Sequence, residues 1–457
     1  MLWLVTTAMK KQILLNAFNM NSVGHINHGL WAHPRDRSTD YKKISYWTSL
    51  AKTLERGLFD GIFIADIIGV YDVYQKSVEL TLKESIQLPV NDPLLLVSAM
   101  AAVTENLGFG ITVNANAEPP YTFARRISTL DQLTDGRIGW NIVTGYLDSA
   151  ARAVGQGALT AHDTRYDRAE DYLEVLYKLW EGSWEDDAVR ADKAARIYAD
   201  FAKVRPIHHQ GTFYQVEGYH LSEPSVQRTP VLYQAGTSGR GRRFAARHAE
   251  CIFITATDKA AARTTARTLR EAVVAEGRKP DDIKIFIGIS IIPGRTEHEA
   301  QEKRREYLSY ASPEAGLVHF SASTGIDFSR YDLDDAIEYG TSNAIQSATE
   351  LAQIKRWTKR DLLNELALGG RYPLIAGTPS VIADELESWI DEGEIDGFNL
   401  PRTVTPECYE DFVDLVVPVL QERGRYKTSY GKSSLRNRLF GAGSRLPDYH
   451  PGAGFRT

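Results

Sequence analysis

Short apolar runs alternate with longer amphipathic segments along almost the whole chain. The runs are typical of buried strands, and segments with apolar residues three and four positions apart are typical of helices. Eight runs are therefore predicted as strands, at 12–18, 61–65, 108–113, 137–143, 230–235, 251–255, 283–292 and 397–400. The predicted helices lie near 45–56, 92–106, 121–133, 165–184, from 238, and at 259–276, 297–310, 379–392 and 406–422.

Eight strand–helix units in succession predict the α/β class and a parallel (β/α)8 TIM barrel with insertion segments. A doubly wound open sheet is the alternative, but such a sheet carries a phosphate loop after its first strand, and this sequence has none there. We expect a single barrel domain over 10–424. Two segments, 185–229 and 311–377, exceed ordinary loop lengths and are predicted as lids or substrate-covering insertions at the functional end.

Smaller features complete the predicted outline. A hairpin that turns around 216–218 is expected within 208–224. The tail 425–457 is rich in Gly, Arg, Ser and Pro, and we expect it to wrap a neighbouring subunit or to be partly mobile. Asp92 is a candidate cap for the helix predicted at 92–106, and Asp163 is one for the helix predicted from 165.

Composition narrows the class of protein. The 457 residues are 43% hydrophobic and 25% charged, as in soluble globular chains, and a net charge of −6 disfavours general affinity for nucleic acid or anionic membrane. Two cysteines, Cys251 and Cys408, are too few for a disulfide framework or a four-ligand zinc site, so a reducing compartment and a cytoplasmic location are expected.

The start of the chain gives no sign of a targeting segment. No apolar run reaches the roughly 18 residues that a membrane span needs. Residues 1–10 lack a basic start, so no signal peptide is expected. Met9 is predicted as the natural start, with 1–8 as an upstream extension.

Polar residues that follow the predicted strands are candidates for chemistry, because active sites of TIM barrels lie at the carboxyl ends of the strands. Ser22, His25 and His28 follow the first strand. Two histidines three positions apart can ligate a metal, but a third ligand with matching spacing is absent, so no metal is expected. For His25, an active-site role and a hydrogen-bonded loop position both stay open.

The next two strand ends carry an acid, an aromatic residue and amides. Asp66 and Tyr71 follow the second strand, and Asn114 and Asn116 follow the third. A carboxylate in this position favours function, although it can equally cap its loop. The amides can pair with the edge of a heteroaromatic ring, and ordinary turn chemistry is the alternative.

A glycine-rich segment, 236–241, opens the helix after the fifth strand. Its glycines let the backbone approach an anion, the helix start presents free N–H groups, and Ser238 adds a hydroxyl. The segment matches neither the P-loop nor the dinucleotide-binding pattern. Tyr166, at the start of the long fourth helix, can reach the same anion from the other side. These residues predict a phosphate site.

Several blocks together resemble the bacterial-luciferase-like flavin monooxygenases: NAFNMNSVGHINHGLW, FDGIFIADIIGVYDVY, HDTRYDRAEDYLEVLYKLWEGSWEDDAV and RTPVLYQAGTSGRGRRFAARHAE. The resemblance spans about 10–447. Within the family, the sequence is similar to the branch of nitrilotriacetate and dibenzothiophene-sulfone monooxygenases, and it most resembles the long-chain alkane and dimethyl sulfide members of that branch. The resemblance implies a TIM barrel that takes reduced FMN from a separate NAD(P)H-dependent flavin reductase and reacts it with O₂ to a flavin peroxide. It also implies a homo-oligomer, a dimer or tetramer.

The resemblance also implies roles for individual residues. The FMN phosphate would be held by Tyr166, Ser238 and the backbone near Thr237 and Gly239. The isoalloxazine would lie against Asp66 and Asn114. The reacting oxygen and the substrate would be surrounded by Ser22, His25, Tyr71, Gln87 and His319.

Three positions depart from the alkane member, and the first of them also departs from the sulfide member. Ser22 stands where cysteine is expected, Tyr146 follows Thr144-Gly145 where Ser-His is expected, and Arg371 stands where tryptophan is expected. An arginine on a lid is a poor wall for a long alkane but suits a polar, carbonyl-bearing or anionic substrate. A side chain directed to solvent is the alternative for Arg371.

We therefore predict oxygenation or cleavage of a small polar or heterocyclic molecule, with riboflavin lyase-like cleavage as a specific candidate. Organosulfur or alkane oxygenation is the alternative within the family. A non-catalytic flavin carrier and a deazaflavin-dependent dehydrogenase are the competing classes.

Overall fold

A closed barrel of eight parallel strands forms the centre of the computed structural model, which describes residues 10–236, 238–337 and 357–456. Each strand pairs with its neighbour in the chain, and the last pairs with the first. The predicted TIM barrel is confirmed, and all eight predicted strands belong to it. They are β1 Leu14–Met20, β2 Gly61–Ala65, β3 Gly108–Asn114, β4 Ile138–Val143, β5 Val231–Gln234, β6 Cys251–Ile254, β7 Lys284–Gly288 and β8 Gly397–Pro401.

The seventh run is shorter in the barrel than predicted. It leaves the barrel after Gly288, and the next strand, Ser290–Pro293, pairs instead with Leu374–Gly377 of the second insertion. A Cβ atom at Gly288 would lie 2.6 Å from the ring of Tyr372. The chain therefore turns away where this aromatic ring packs across the strand, so the prediction of one strand over 283–292 was wrong in its second half.

Helices surround the barrel, and most begin within a few residues of the predicted positions. The helix predicted at 92–106 is shorter, Leu94–Ala101, and its N-cap is Pro93, so the prediction of Asp92 as the cap was wrong; Asp92 instead accepts the N–H of Leu94 at 2.9 Å from one position further out. Asp163 lies inside its helix rather than at the cap. The helices are Ile44–Arg56, Glu79–Lys83, Leu94–Ala101, Pro120–Leu133, Asp148–Ala153, His162–Tyr177, Gly239–His248, Lys259–Ala275, Glu297–Tyr310, Pro313–Thr324, Lys359–Glu365, Pro379–Gly393, Glu407–Asp411, Val417–Glu422 and Leu435–Phe440. No helix among these described ranges is long and apolar enough to cross a membrane.

The first insertion contains two hairpins, of which the second was predicted with its turn in the wrong place. Strands Ile207–Gln210 and Gln215–Gly218 pair, so the chain turns at 211–214. The carboxylate of Asp171 accepts the N–H groups of Phe213 and Tyr214 at 2.6 and 3.0 Å. A carboxylate 40 or so positions away thus stabilises this turn, and the local sequence does not reveal it.

The tail closes the amino-terminal mouth of its own barrel. Leu435 donates its N–H to the carbonyl of Gly136, Tyr430 donates its hydroxyl to the carbonyl of Phe59, and Lys427 pairs with Asp60 at 2.9 Å. These partners immediately precede β2 and β4. Residues 427–436, which we call the tail plug, therefore close this mouth within the same chain, and contact of the tail with a neighbouring subunit stays a prediction.

Candidate active site

The carboxyl end of the barrel carries two groups of residues that are candidates for function. We call the first the glycine turn: Gly236, Ser238, Gly239, Arg240 and Gly241. We call the second the histidine–tyrosine cluster: His25, His28, Tyr71, Tyr146 and His319. Thr237, a predicted phosphate ligand, lies outside the described residues.

The glycine turn encloses the hydroxyl of Tyr166. A Cβ atom would lie only 2.4 Å from this oxygen at Gly236 and 2.7 Å from it at Gly241, so a side chain at either position would have to displace the tyrosine hydroxyl. Ser238 caps the helix Gly239–His248 through the N–H of Gly241 at 3.2 Å. A Cβ atom at Gly239 would meet no described residue within 4 Å, so among these residues the rim of the turn is open at this position. The structure therefore brings Tyr166 to the turn from the opposite side, where the sequence placed it.

A cavity of about 550 Å³, counted with its open mouth, begins at the ends of β3 and β4 and reaches the start of the helix that carries Tyr166. Asn114 accepts the N–H of Asn116 at 2.9 Å, and Asn116 donates to the carbonyl of Thr144 at 3.0 Å. The Oδ1 atom of Asn116 is buried without a hydrogen-bond partner in the described chain. Both amides therefore border the cavity, each partly used in holding the loop.

Asp66 follows β2 but is not among the residues that line this cavity. Burial, and to a smaller extent the nearby Asp92 carboxylate, raises the pKa of its carboxyl to about 7, although the N–H of Ile67 opposes part of the shift. The group is therefore partly protonated at neutral pH.

Replacement of Asp66 by asparagine is expected to stabilise the protein increasingly as pH rises. The folded-state pKa is raised, so wild-type stability falls between about pH 4, the unfolded value, and about pH 7, where the folded carboxyl ionises. The asparagine variant lacks this loss. Melting temperatures across this range test it: a gap between the two proteins that widens with pH and levels above pH 7 is expected, and a gap independent of pH contradicts the assignment.

In the histidine–tyrosine cluster, ring contacts and hydrogen bonds join side chains from four segments. His28 Nε2 lies 3.1 Å from His319 Nδ1, and the ring of His319 stacks on Tyr71 with centroids 5.1 Å apart. Tyr71 donates its hydroxyl to Oε1 of Gln87 at 2.6 Å. Since that proton is used, the hydroxyl of Tyr146, 3.1 Å away, is the donor to Tyr71.

His25 and Ser22 lie deeper, on the loop after β1. His25 is 3% exposed, packs its ring edge-on to Phe18 at 4.6 Å, and has a buried Nδ1 without a partner in the described chain. Ser22 is fully buried and donates its hydroxyl to the carbonyl of Gly24. Within the ranges that the structure covers, no three His, Cys, Asp or Glu side chains are grouped to hold a metal ion.

Arg402, just after β8, is a site residue that the sequence analysis missed. Its Nη2 donates to the carbonyls of Ser22 and Val23 at 2.8 and 2.7 Å. Burial, and then the charge of Arg402, lowers the pKa of His25 well below its usual value and that of His28 to about 3. Both imidazoles are therefore neutral at physiological pH. Arg402 lies two residues after Leu400, where the eighth predicted strand ends, so its position in the sequence marks it as a strand-end polar residue like the others.

Arg371 stands over the same cluster. Its guanidinium carbon lies 5.1 Å from the ring centroid of Phe320, and the side chain is half-buried rather than directed to solvent. Burial raises the pKa of Tyr71 and Tyr146, and the charge of Arg371 offsets part of the rise. The structure thus brings both predicted substrate residues, Tyr146 and Arg371, to the cluster.

The fold and this carboxyl-end site define the class, a TIM barrel with its polar site at the strand ends. The chain belongs to the luciferase-like monooxygenase family, which matches residues 26–394. It is 49% identical to dimethyl-sulfide monooxygenase of Hyphomicrobium sulfonivorans, over 98% of this chain and 94% of that protein. It is 47% identical to long-chain alkane monooxygenase of Geobacillus thermodenitrificans, over 98% and 99%.

A solved structure of riboflavin lyase, with modified FMN and riboflavin, is also similar: the TM-score is 0.93 at 37% identity, over 98% of this chain and 100% of that one. Dibenzothiophene-sulfone and nitrilotriacetate monooxygenases are among the relatives, which confirms the predicted branch. The chain is thus an enzyme of a flavin-dependent monooxygenase family, whose members of this kind use reduced flavin with O₂.

Proposed function

We propose that the protein is the oxygenase component of a two-component system. In this system a separate NAD(P)H-dependent flavin reductase supplies reduced FMN, and the enzyme oxygenates or cleaves a small polar or heterocyclic molecule with O₂. The observation that carries the proposal is the glycine turn, closed from behind by Tyr166 and open at Gly239. The absence of a dinucleotide-binding loop after β1 in the sequence supports a separate source of reduced flavin.

The residues present fit a flavin mononucleotide. Backbone N–H groups at the start of the helix Gly239–His248, together with the hydroxyls of Ser238 and Tyr166, would hold the phosphate. Asn114, beside the cavity, and Asp66, on the neighbouring loop, would bind the ring. The unpaired Oδ1 of Asn116 is an acceptor that a ring N–H would satisfy.

Reduced FMN, when bound, supplies two electrons to O₂, so that one oxygen atom reaches the substrate and the other leaves as water. The chain supplies the surroundings. His25 is neutral because its pKa lies well below neutrality, and its ring is held by Phe18. The N–H of this neutral ring would donate a hydrogen bond to the reacting oxygen. The hydrogen-bonded Tyr146–Tyr71–Gln87 row forms a second wall that keeps its geometry without water.

A polar substrate is favoured by Arg371, since a half-buried cation is a costly neighbour for an alkane. Similarity to riboflavin lyase supports a heterocycle, whereas the dimethyl-sulfide and alkane relatives support the alternative substrates. We also propose a dimer or tetramer in the cytoplasm; both cysteines, Cys251 and Cys408, are buried and free, which suits a reducing compartment.

The test is a substrate screen with FMN, NADH, a flavin reductase and ¹⁸O₂, read by mass spectrometry. Riboflavin, nitrogen heterocycles, dimethyl sulfide and a long-chain alkane form the panel. A product that gains ¹⁸O, or a cleaved fragment, only when enzyme and O₂ are both present supports the proposal. Flavin binding with every O₂ recovered as hydrogen peroxide indicates a carrier, and substrate oxidation without O₂ indicates a dehydrogenase; either outcome contradicts it.

A further inference from the structure

We infer that Arg371 forms a subsite for an anionic oxygen group of the substrate, a carboxylate or a sulfonate, and that Asn27 holds this arginine in position. The inference rests on the proposed function and narrows its substrate class. It joins two observations: a cation without a counter-ion among the residues that the structure describes, and a strained turn that is fixed to the loop of the histidines.

The guanidinium of Arg371 has unused hydrogen-bonding capacity. Among residues 10–236, 238–337 and 357–456, no carboxylate, carbonyl or hydroxyl is hydrogen-bonded to it, and its contact is the face of Phe320. By contrast, Arg402 and Arg436 in the same barrel each donate to several acceptors. A half-buried cation is costly unless something pairs with it, and a planar guanidinium matches two oxygens of a carboxylate or sulfonate.

The tyrosine hydroxyls near Arg371 are already used as donors inside the protein. Tyr146 donates to Tyr71, and Tyr71 donates to Gln87. One of the two imidazole N–H groups of His28 and His319 is used in the hydrogen bond between them at 3.1 Å. A substrate that enters this space therefore meets two tyrosines whose protons are engaged and a cation without an acceptor among the described residues. That combination selects for negative charge over a neutral hydrogen-bond acceptor.

The backbone that presents Arg371 is strained. Gly369, Gly370 and Arg371 have φ values of 95°, 59° and 79°, all in the left-handed region. For a residue other than glycine, this conformation costs about 1 kcal/mol or more of free energy. A Cβ atom at Gly370 would lie 2.7 Å from a side-chain carbon of Ile26, so this turn packs directly on the loop after β1.

Asn27 fixes the strained turn to its surroundings. Its Oδ1 accepts the N–H of Gly369 at 2.7 Å, and its Nδ2 donates to the carbonyl of Arg402 at 2.9 Å. Asn27 is 5% exposed and lies between His25 and His28 in sequence. One side chain therefore sets the position of Arg371 relative to both histidines, which makes Asn27 a positioning residue.

The experiment measures binding of three matched probes, benzoate, benzenesulfonate and benzamide, to the FMN-loaded protein by calorimetry. The two anions are expected to bind about ten-fold or more tightly than the neutral amide. Arg371→Met is expected to abolish this preference, and Arg371→Lys to keep part of it. Asn27→Leu is expected to reduce the preference although the charge stays, whereas Asn27→Gln keeps an amide that can accept from Gly369 and donate to the carbonyl of Arg402, and is expected to lose less.

Each result bears on one claim. Equal affinity for benzoate and benzamide in the wild type overturns the subsite, as does an unchanged preference in Arg371→Met. If Arg371→Met instead weakens FMN, the arginine belongs to the cofactor and the inference is wrong. Failure of the wild type to bind FMN in the loading step would count against the proposed function itself. Melting temperatures of all variants confirm that they are folded.

Discussion

Replacement of Arg436 by methionine is expected to lower the free energy of unfolding by about 3–5 kcal/mol. Arg436 is 2% exposed and sits in the tail plug. It pairs with both carboxylate oxygens of Glu250 at 2.6 and 2.9 Å and donates to the carbonyls of Thr229, Pro230 and Ser444. Methionine leaves the Glu250 charge buried without its counter-ion, and three carbonyls lose a donor.

Denaturant unfolding, followed by circular dichroism and tryptophan fluorescence, measures the loss. The double variant Arg436→Met with Glu250→Leu is the matched control, because it removes both charges and is expected to recover part of the stability. Arg445→Met, whose ion pair with Asp186 is exposed, should cost less than about 1 kcal/mol. If Arg436→Met unfolds like the wild type, the tail does not plug the barrel as described.

Replacement of His25 by phenylalanine is expected to lower kcat for substrate oxygenation by about 10²–10³-fold, because a positioned proton donor contributes an effect of this size. The aromatic shape against Phe18 is kept, and the ring nitrogens are lost. FMN affinity should change less than it does in Ser238→Ala, since Ser238 lies in the glycine turn.

The readout is the ratio of product to hydrogen peroxide at equal O₂ consumption, which should shift strongly towards peroxide in His25→Phe. His25→Gln, which keeps a donor, is expected to lose less. Because His25 is neutral, the wild-type kcat should show no step from this group between pH 6 and 8. An unchanged product ratio in the phenylalanine variant would remove His25 from the chemistry.

The barrel was predictable because its strands are short, buried on both faces and mostly apolar. β2 was predicted with its observed bounds, Gly61–Ala65. The errors arose where a distant side chain decides the path. Tyr372 ends the seventh run at Gly288, and Asp171 sets the turn after Gln210.

The candidate site residues divide in the same way, into those that a local pattern marks and those that depend on distant partners. The position of His25, Asp66 and Asn114 at the carboxyl end of the barrel was predictable because a strand end is visible in sequence as the point where an apolar run stops. Asn27 was not, because its partners, Gly369 and the carbonyl of Arg402, lie 342 and 375 positions away. Its importance is a property of the folded geometry, and nothing in the local pattern marks it.

Binding of the FMN phosphate by the glycine turn can be tested at Gly239. A Cβ atom there meets no described residue within 4 Å, so asparagine and aspartate both fit and differ only in charge. FMN affinity of the two variants is measured by calorimetry at low and high salt. The account predicts that Gly239→Asp binds FMN about ten-fold more weakly than Gly239→Asn, with the gap shrinking at high salt. Equal affinities of the two variants at low salt would contradict it.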